Sequence, residues 1–190
     1  MVVMAKTIDD ERLVEQFKRG DESAFDRIVE QYSSDIAALS NRLLGWSGEV
    51  DDVVQDILFA AFLGLKKFRC ESSLKTWLFT ITVNKCRSYR YKRMLRLRRI
   101  YQVSRQAPLS SSPTADKTPM DSETFERVRA AIASLPSKYR EPVVLRYLQE
   151  LSTEEISGVL GISKNALQVR LNRARAHLRE ALAEELKGKL

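Results

Sequence analysis

The chain has 190 residues, 44% of them hydrophobic, with only 7 Gly and 5 Pro. It is too apolar for a disordered chain, too poor in turn residues for a sheet-rich fold, and long enough for one medium domain or two small ones. The net charge of +7 is uneven: residues 1–71 hold 14 acids and 9 bases, 72–115 hold ten bases and no acid, and 116–190 hold 11 acids and 13 bases. A basic block free of acids suggests a polyanion partner.

The N-terminus lacks the basic-then-apolar order of a signal peptide. No apolar run approaches the ~18 residues of a membrane span. A cytoplasmic chain without membrane insertion is therefore expected. Leu13 and Phe17 form a first short helical stripe, and Gly20-Asp21 ends that helix and caps the next. Ala24, Phe25, Ile28, Val29 and Tyr32 follow at helical spacing, continued by Ile36, Ser40 and Leu43. Gly45-Trp46-Ser47-Gly48 predicts a loop.

The next helix is the clearest in the chain. Val50, Val53, Val54, Ile57, Leu58, Ala61 and Leu65 make its apolar face. The other face carries Asp51, Asp52, Gln55 and Asp56, then Phe59 and Phe62. Carboxylates and an aromatic on one face suit docking onto a basic protein helix, although a plain solvated face has the same pattern. A loop at 69–73 leads to a helix buried through Leu74, Trp77, Leu78 and Ile81.

That helix runs into the acid-free block. Lys85, Arg87, Arg90, Lys92, Arg93, Arg96, Arg98 and Arg99 alternate with Tyr89, Tyr91 and Tyr101. Positive charge tracks a phosphate backbone, and aromatics stack on unpaired bases. Ser72, Ser73, Lys75, Thr76 and Asn84 add small polar groups, so the segment suits a strand pulled out of its duplex. Phosphate contact alone is the simpler alternative. Cys70 and Cys86 have no metal spacing and are expected to be free, buried thiols.

From 104 to 122 the periodicity disappears in SRQAPLSSSPTADKTPMDS, which predicts a flexible linker. Helices resume with Phe125, Val128, Ile132 and Leu135, break at Pro136, and continue through Val143, Val144, Tyr147 and Leu148. Ser152-Thr153-Glu154-Glu155 is a capping box. The short helix after it ends at Gly161, and Ser163 caps a long last helix with a stripe of Leu167, Leu171, Ala174, Leu178 and Leu182. Two capped helices about a Gly turn are a helix-turn-helix, whose second helix lies in the major groove. Its exposed side would offer Lys164, Asn165, Gln168, Val169, Asn172 and Arg173. Asn and Gln pair with adenine, Val touches a thymine methyl, and Arg and Lys reach phosphates. With no strand alternation and no repeat, the expected fold is all-α. Two small helical domains, 5–103 and 122–186, are joined by a flexible linker at 104–121, the second domain containing the helix-turn-helix.

Three stretches resemble the extracytoplasmic-function (ECF) branch of the sigma-70 family of bacterial RNA polymerase sigma factors. GDESAFDRIVEQY followed by EVDDVVQDILFAAF is similar to the family's regions 2.1–2.2. FRCESSLKTWLFTITVNKCRSYRYKR is similar to regions 2.3–2.4, with a Trp-Leu pair and an Asn seven residues after that Trp. LPSKYREPVVLRYLQELSTEEISGVLGISKNALQVRLNRARAHL is similar to region 4.

The resemblance implies roles. Asp52, Gln55, Asp56 and Phe59 would bind the clamp helices of the polymerase β′ subunit, and the second domain would meet the β flap. Ser72, Ser73, Lys75 and Thr76 would capture a flipped base of the −10 element, and Asn84, Arg87 and Arg90 would read and open it. Lys164, Asn165, Gln168, Val169, Asn172 and Arg173 would read the −35 element. The partners implied are core polymerase, duplex and single-stranded promoter DNA, and an anti-sigma factor. Ala166-Leu167-Gln168-Val169 departs from the family's frequent Thr-Val-Lys-Ser run, and no separate middle domain is visible.

No nucleophile–base pair, phosphate loop or metal cluster stands out. The function expected is non-covalent, without catalytic residue, metal or cofactor, and His177 is expected on a helix surface. The competing reading is a stand-alone helix-turn-helix regulator, which would leave the acidic and basic-aromatic helices without a purpose.

Overall fold

The computed structural model describes residues 2–45, 50–103 and 122–187. Among them it is all-α, with no strand. The helices are α1 (Val2–Lys18), α2 (Ser23–Leu44), α3 (Asp51–Leu65), α4 (Leu74–Val103), α5 (Ser122–Ser134), α6 (Ser137–Val143), α7 (Thr153–Leu160) and α8 (Lys164–Lys187), with a π turn, Val144–Leu148, after α6. The predicted linker, 104–121, and the loop at 46–49 lie outside the described residues.

Helices α1 to α4 pack through the stripes their spacing dictates. Leu13, Val14 and Phe17 of α1, Ile28, Ile36 and Leu39 of α2, and Val53, Ile57 and Ala61 of α3 are buried together with Leu78, Phe79 and Val83 of α4. Phe62 does not share the outer face of α3 with Phe59. Its ring stands edge-on to Phe17 and Phe25 at 5.3 and 5.1 Å, and such pairs add about 0.5–1.5 kcal/mol beyond their area. Asp10 ties α1 to α2, accepting hydrogen bonds from the Tyr32 hydroxyl (2.7 Å) and Gln31 Nε2 (3.0 Å). Burial, reinforced by the Asp10 carboxylate, pushes the Tyr32 hydroxyl pKa well above its ordinary value. Trp77 lies against α3 because residue 64 is glycine: a Cβ there would sit 3.1 Å from the indole ring.

In the C-terminal group, Pro136 precedes α6 and Pro142 lies within it. The π turn that follows keeps Val144 and Leu145 buried and turns Tyr147 out to solvent. Of the stripe expected along α5 and the turn after it, Ile132 and Leu135 are buried, joined by Ala131, while Phe125 and Val128 are exposed. Cys70 departs from expectation in the same way. It sits at φ +57 on an exposed loop, while Cys86 is buried; both are free.

Local periodicity did not announce that the two helical groups dock. Helix α7 packs on α4, and α5, α6 and the π turn pack on α2, in one continuous cluster of buried side chains. Arg42 donates to the Leu148 carbonyl (2.8 Å), and Arg140 donates back to the Leu43 carbonyl (3.1 Å).

Candidate nucleic-acid interface

Apart from Phe62, which packs inward, the outer face of α3 carries the residues its spacing predicts. Asp52, Gln55 and Asp56 are exposed, and Phe59 is 62% exposed. Leu63, one turn beyond Phe59 and not singled out by the sequence pattern, is 60% exposed. Two large apolar side chains beside carboxylates form a patch suited to a protein partner more than to water alone.

The loop before α4 is partly committed to its own fold. Ser73 caps the helix, its Oγ accepting from the Thr76 amide at 3.1 Å. The Ser73 and Thr76 hydroxyls lie 2.8 Å apart, and Thr76 is only 6% exposed. Lys75 is held by Asp35 at 3.4 Å and lies over the Phe79 ring. Ser72 is exposed.

Along α4, Asn84 is exposed and lines a cleft of about 430 Å3 with Asp56, Lys85, Ser88, Tyr89 and Lys92. Candidates assigned to different partners, Asp56 and Asn84, therefore face one space. Arg87 points elsewhere. Its Nε and Nη2 donate to the two carboxylate oxygens of Glu141 at 3.0 and 2.6 Å, and that hydrogen bonding holds the guanidinium pKa above its ordinary value. Arg90 is half-buried beside Arg140. Burial first, then the Arg90 charge, brings Arg140 down to about 10.

The helix-turn-helix forms as its caps predict. Ser152 Oγ accepts from the Glu155 amide (3.2 Å), and the Glu155 carboxylate accepts from the Ser152 amide (2.8 Å). Gly161 turns the chain at φ +66, a left-handed conformation that strains any residue with a Cβ. Ser163 Oγ then accepts from the Ala166 amide at 3.2 Å. Leu167, Leu171 and Ala174 are buried, which leaves Lys164, Asn165, Gln168, Val169, Asn172 and Arg173 exposed.

Several of these six have neighbours. Lys164 pairs with Glu154 of α7 and holds that carboxyl below its ordinary value. Gln168 Nε2 donates to Asn172 Oδ1 at 3.3 Å, and Arg173 beside the Tyr139 hydroxyl lowers its pKa. Arg175, missed in the sequence pattern, donates through Nε and Nη2 to the Tyr147 hydroxyl at 2.9 and 2.6 Å. The residue type gave no signal, because its partner lies 28 residues away. His177 is half-exposed near the Tyr139 ring, as expected of a surface histidine.

Among the described residues no helix is long and apolar enough to cross a membrane, and no cluster of His, Cys, Asp and Glu could hold a metal ion.

Comparison with known proteins agrees with this arrangement. Residues 28–96 match Sigma-70 region 2, and residues 125–178 match Sigma-70, region 4. The ECF RNA polymerase sigma-E factor of Escherichia coli K12 is 30% identical, covering 90% of this chain and 93% of its own. The ECF RNA polymerase sigma factor SigW of Bacillus subtilis is also 30% identical, covering 90% of this chain and 95% of its own. Among solved structures, CnrH in complex with the cytosolic domain of CnrY aligns with a TM-score of 0.68 at 29% identity, over 93% of this chain and 98% of the other. The sigma factor RpoE in complex with the anti-sigma factor NepR, from Bartonella quintana, gives 0.65 at 26%, over 84% and 96%. With both regions present in order and ECF relatives aligned over nine-tenths of its length, the chain belongs to the sigma-70 family, as an ECF RNA polymerase sigma factor.

Proposed function

We propose that this sigma factor docks on core polymerase through the outer face of α3, reads duplex −35 DNA with α8, and captures the opened −10 strand along 72–93. The observation that carries the assignment is the chemical difference between these surfaces. The α3 face is acidic and apolar, which suits the clamp helices of β′. The α8 face is polar with bidentate amides, which suits base edges in a major groove. The α4 segment is basic and aromatic without a single acid, which suits a backbone with unstacked bases. The second helical group would meet the β flap.

The protein acts by non-covalent recognition in the cytoplasm. An anti-sigma factor belongs to this proposal because two similar structures, CnrH with CnrY and RpoE with NepR, are complexes of that kind or carry a cytosolic partner domain. Gel filtration with core polymerase, followed by transcription on a library of promoter fragments, tests the reading. Co-elution and selective initiation are expected. Tight, sequence-specific duplex binding without core, and no co-elution with it, would replace this proposal with a stand-alone regulator.

A further inference from the structure

Building on the duplex-reading role proposed for α8, we propose that Arg175, anchored on Tyr147, fixes which way the Asn172 amide faces. Asn172 then reads a guanine edge of the −35 duplex, and Gln168 an adenine edge. Four side chains, one from the π turn and three from α8, form a single hydrogen-bonded chain on that face. Arg175 forks onto the Tyr147 hydroxyl through Nε (2.9 Å) and Nη2 (2.6 Å), with its Cζ 5.9 Å from the Tyr147 ring centre. Its Nη1 donates to Asn172 Oδ1 at 3.3 Å, and Gln168 Nε2 donates to the same oxygen at 3.3 Å. The π turn supplies the anchor: it buries Val144 and Leu145 and sets Tyr147 outside.

The direction of each bond follows from the chemistry of arginine. A guanidinium has five donors and no acceptor, so the amide atom that faces it must be oxygen. Turning the Asn172 amide over would set Nδ2 against Nη1, donor against donor. An amide oxygen has two lone pairs, and Gln168 and Arg175 occupy both. Asn172 is left with the N–H donors of Nδ2, which have no partner among the described residues. Gln168 uses one N–H and keeps the other, together with Oε1.

Base edges distinguish these two presentations. Adenine offers an acceptor, N7, and a donor, N6, and needs a side chain with one of each. Gln168 still has both. Asn172 has donors alone, as a lysine has, and guanine offers two acceptors, N7 and O6. The same amide group thus meets different bases at positions 168 and 172. Arg175 need not touch a base; it is a positioning residue that sets the difference. All four side chains are exposed, so the network adds little to folding and its loss is felt in recognition.

The test presents holoenzyme, assembled with core polymerase, with promoter fragments whose −35 element is randomised, and the retained fragments are sequenced. Asn172→Ala marks the position that Asn172 reads, as the one whose preference it removes. Wild type should prefer guanine over adenine there by about fivefold or more. Arg175→Met removes the donor and should bring the two bases to within about twofold at that position. Tyr147→Phe keeps the charge and frees the guanidinium; it should narrow the preference in the same direction and leave the salt dependence of binding unchanged. In an Asn172→Ala background neither substitution should change that position further. Circular dichroism checks that each variant folds. A wild-type preference for any base but guanine at the Asn172 position overturns the proposal. So does a guanine preference that persists at full strength in either Arg175→Met or Tyr147→Phe, or an Asn172→Ala protein that alters no position while Gln168→Ala alters one. Failure of the duplex-reading role shows separately: neither Asn172→Ala nor Gln168→Ala would then change preference anywhere in the element.

Discussion

The hydroxyls of Ser73 and Thr76 lie 2.8 Å apart at the first turn of α4, where Ser73 Oγ also accepts from the Thr76 amide. This pair caps the helix that carries the whole basic block. Ser73→Ala should cost about 1 kcal/mol, the usual loss for an N-cap, read as a lowered midpoint in urea unfolding. Thr76→Ala should also destabilise, because its hydroxyl is buried and bonded. A Thr76→Ala protein as stable as wild type would show that the hydroxyl is free for DNA.

On α3, reversing Asp56 to Arg places like charges together at the proposed clamp interface and should weaken core binding by several kcal/mol. Folding should be unaffected, since Asp56 is exposed. Leu63→Ser should weaken the same association by removing an exposed apolar contact. Competition pull-downs against a reference sigma factor measure both; unchanged affinity in both variants would move the docking face elsewhere.

The two DNA contacts should separate under mutation. Gln168→Ala should cost about 1–3 kcal/mol and relax preference at one −35 base pair. Arg173→Ala should weaken all duplexes about equally and flatten the salt dependence by roughly one unit of slope. Asn84→Ala should leave duplex binding alone and weaken capture of a −10 strand. Titrations of each variant with duplex and with single strand, core polymerase present, decide it. Equal damage to both ligands by Gln168→Ala and Asn84→Ala would mean one composite site.

The cysteines should differ sharply. Burial pushes the Cys86 thiol from 9.0 up to about 11, and the Glu141 charge adds to the shift. At pH 8 iodoacetamide should therefore label Cys70 alone in the folded protein and both cysteines in urea. The neutral thiol is the form the fold favours. Its contribution to stability is present below pH 9 and is lost as the pH rises toward 11. A Cys86→Ala protein should lose that part of the alkaline dependence; an unchanged profile would assign it to other groups.

Much of the helical architecture was legible because its causes are local. Ser152 and Glu155 are three residues apart, Gly161 ends the helix they begin, and Ser163 opens the next, so caps and turn declare themselves in sequence. The inner residues of α3 and α8 follow directly from a 3.6-residue period. Phe62, Phe125 and Cys70 depart from the pattern because they sit at the margins of a stripe or in a loop, where neighbouring elements decide exposure. The candidate site was legible as a set of residue types on faces, and the exposed faces of α3 and α8 follow the same period. The engagement of Arg87, Arg42 and Arg140 was not, because their partners lie 54, 106 and 97 residues away. Arginine on a helix surface carries no mark of which distant oxygen will hold it.

Arg140 holds the Leu43 carbonyl, and its Nη1 lies 3.5 Å from where a Cβ would stand on Gly45, the left-handed residue that ends α2. The last turn of α2 thus receives a hydrogen-bond donor from α6, 97 residues further along the chain. When the helical groups part, that turn loses the donor and frays, and its amides trade hydrogen for deuterium faster. A peptide covering residues 39–45 is therefore a built-in reporter of the packing between the two helical groups, readable by mass spectrometry on the native, unlabelled chain. The same peptide should quicken if binding of a polymerase separates the two helical groups, and an unchanged exchange rate would mean that they stay packed.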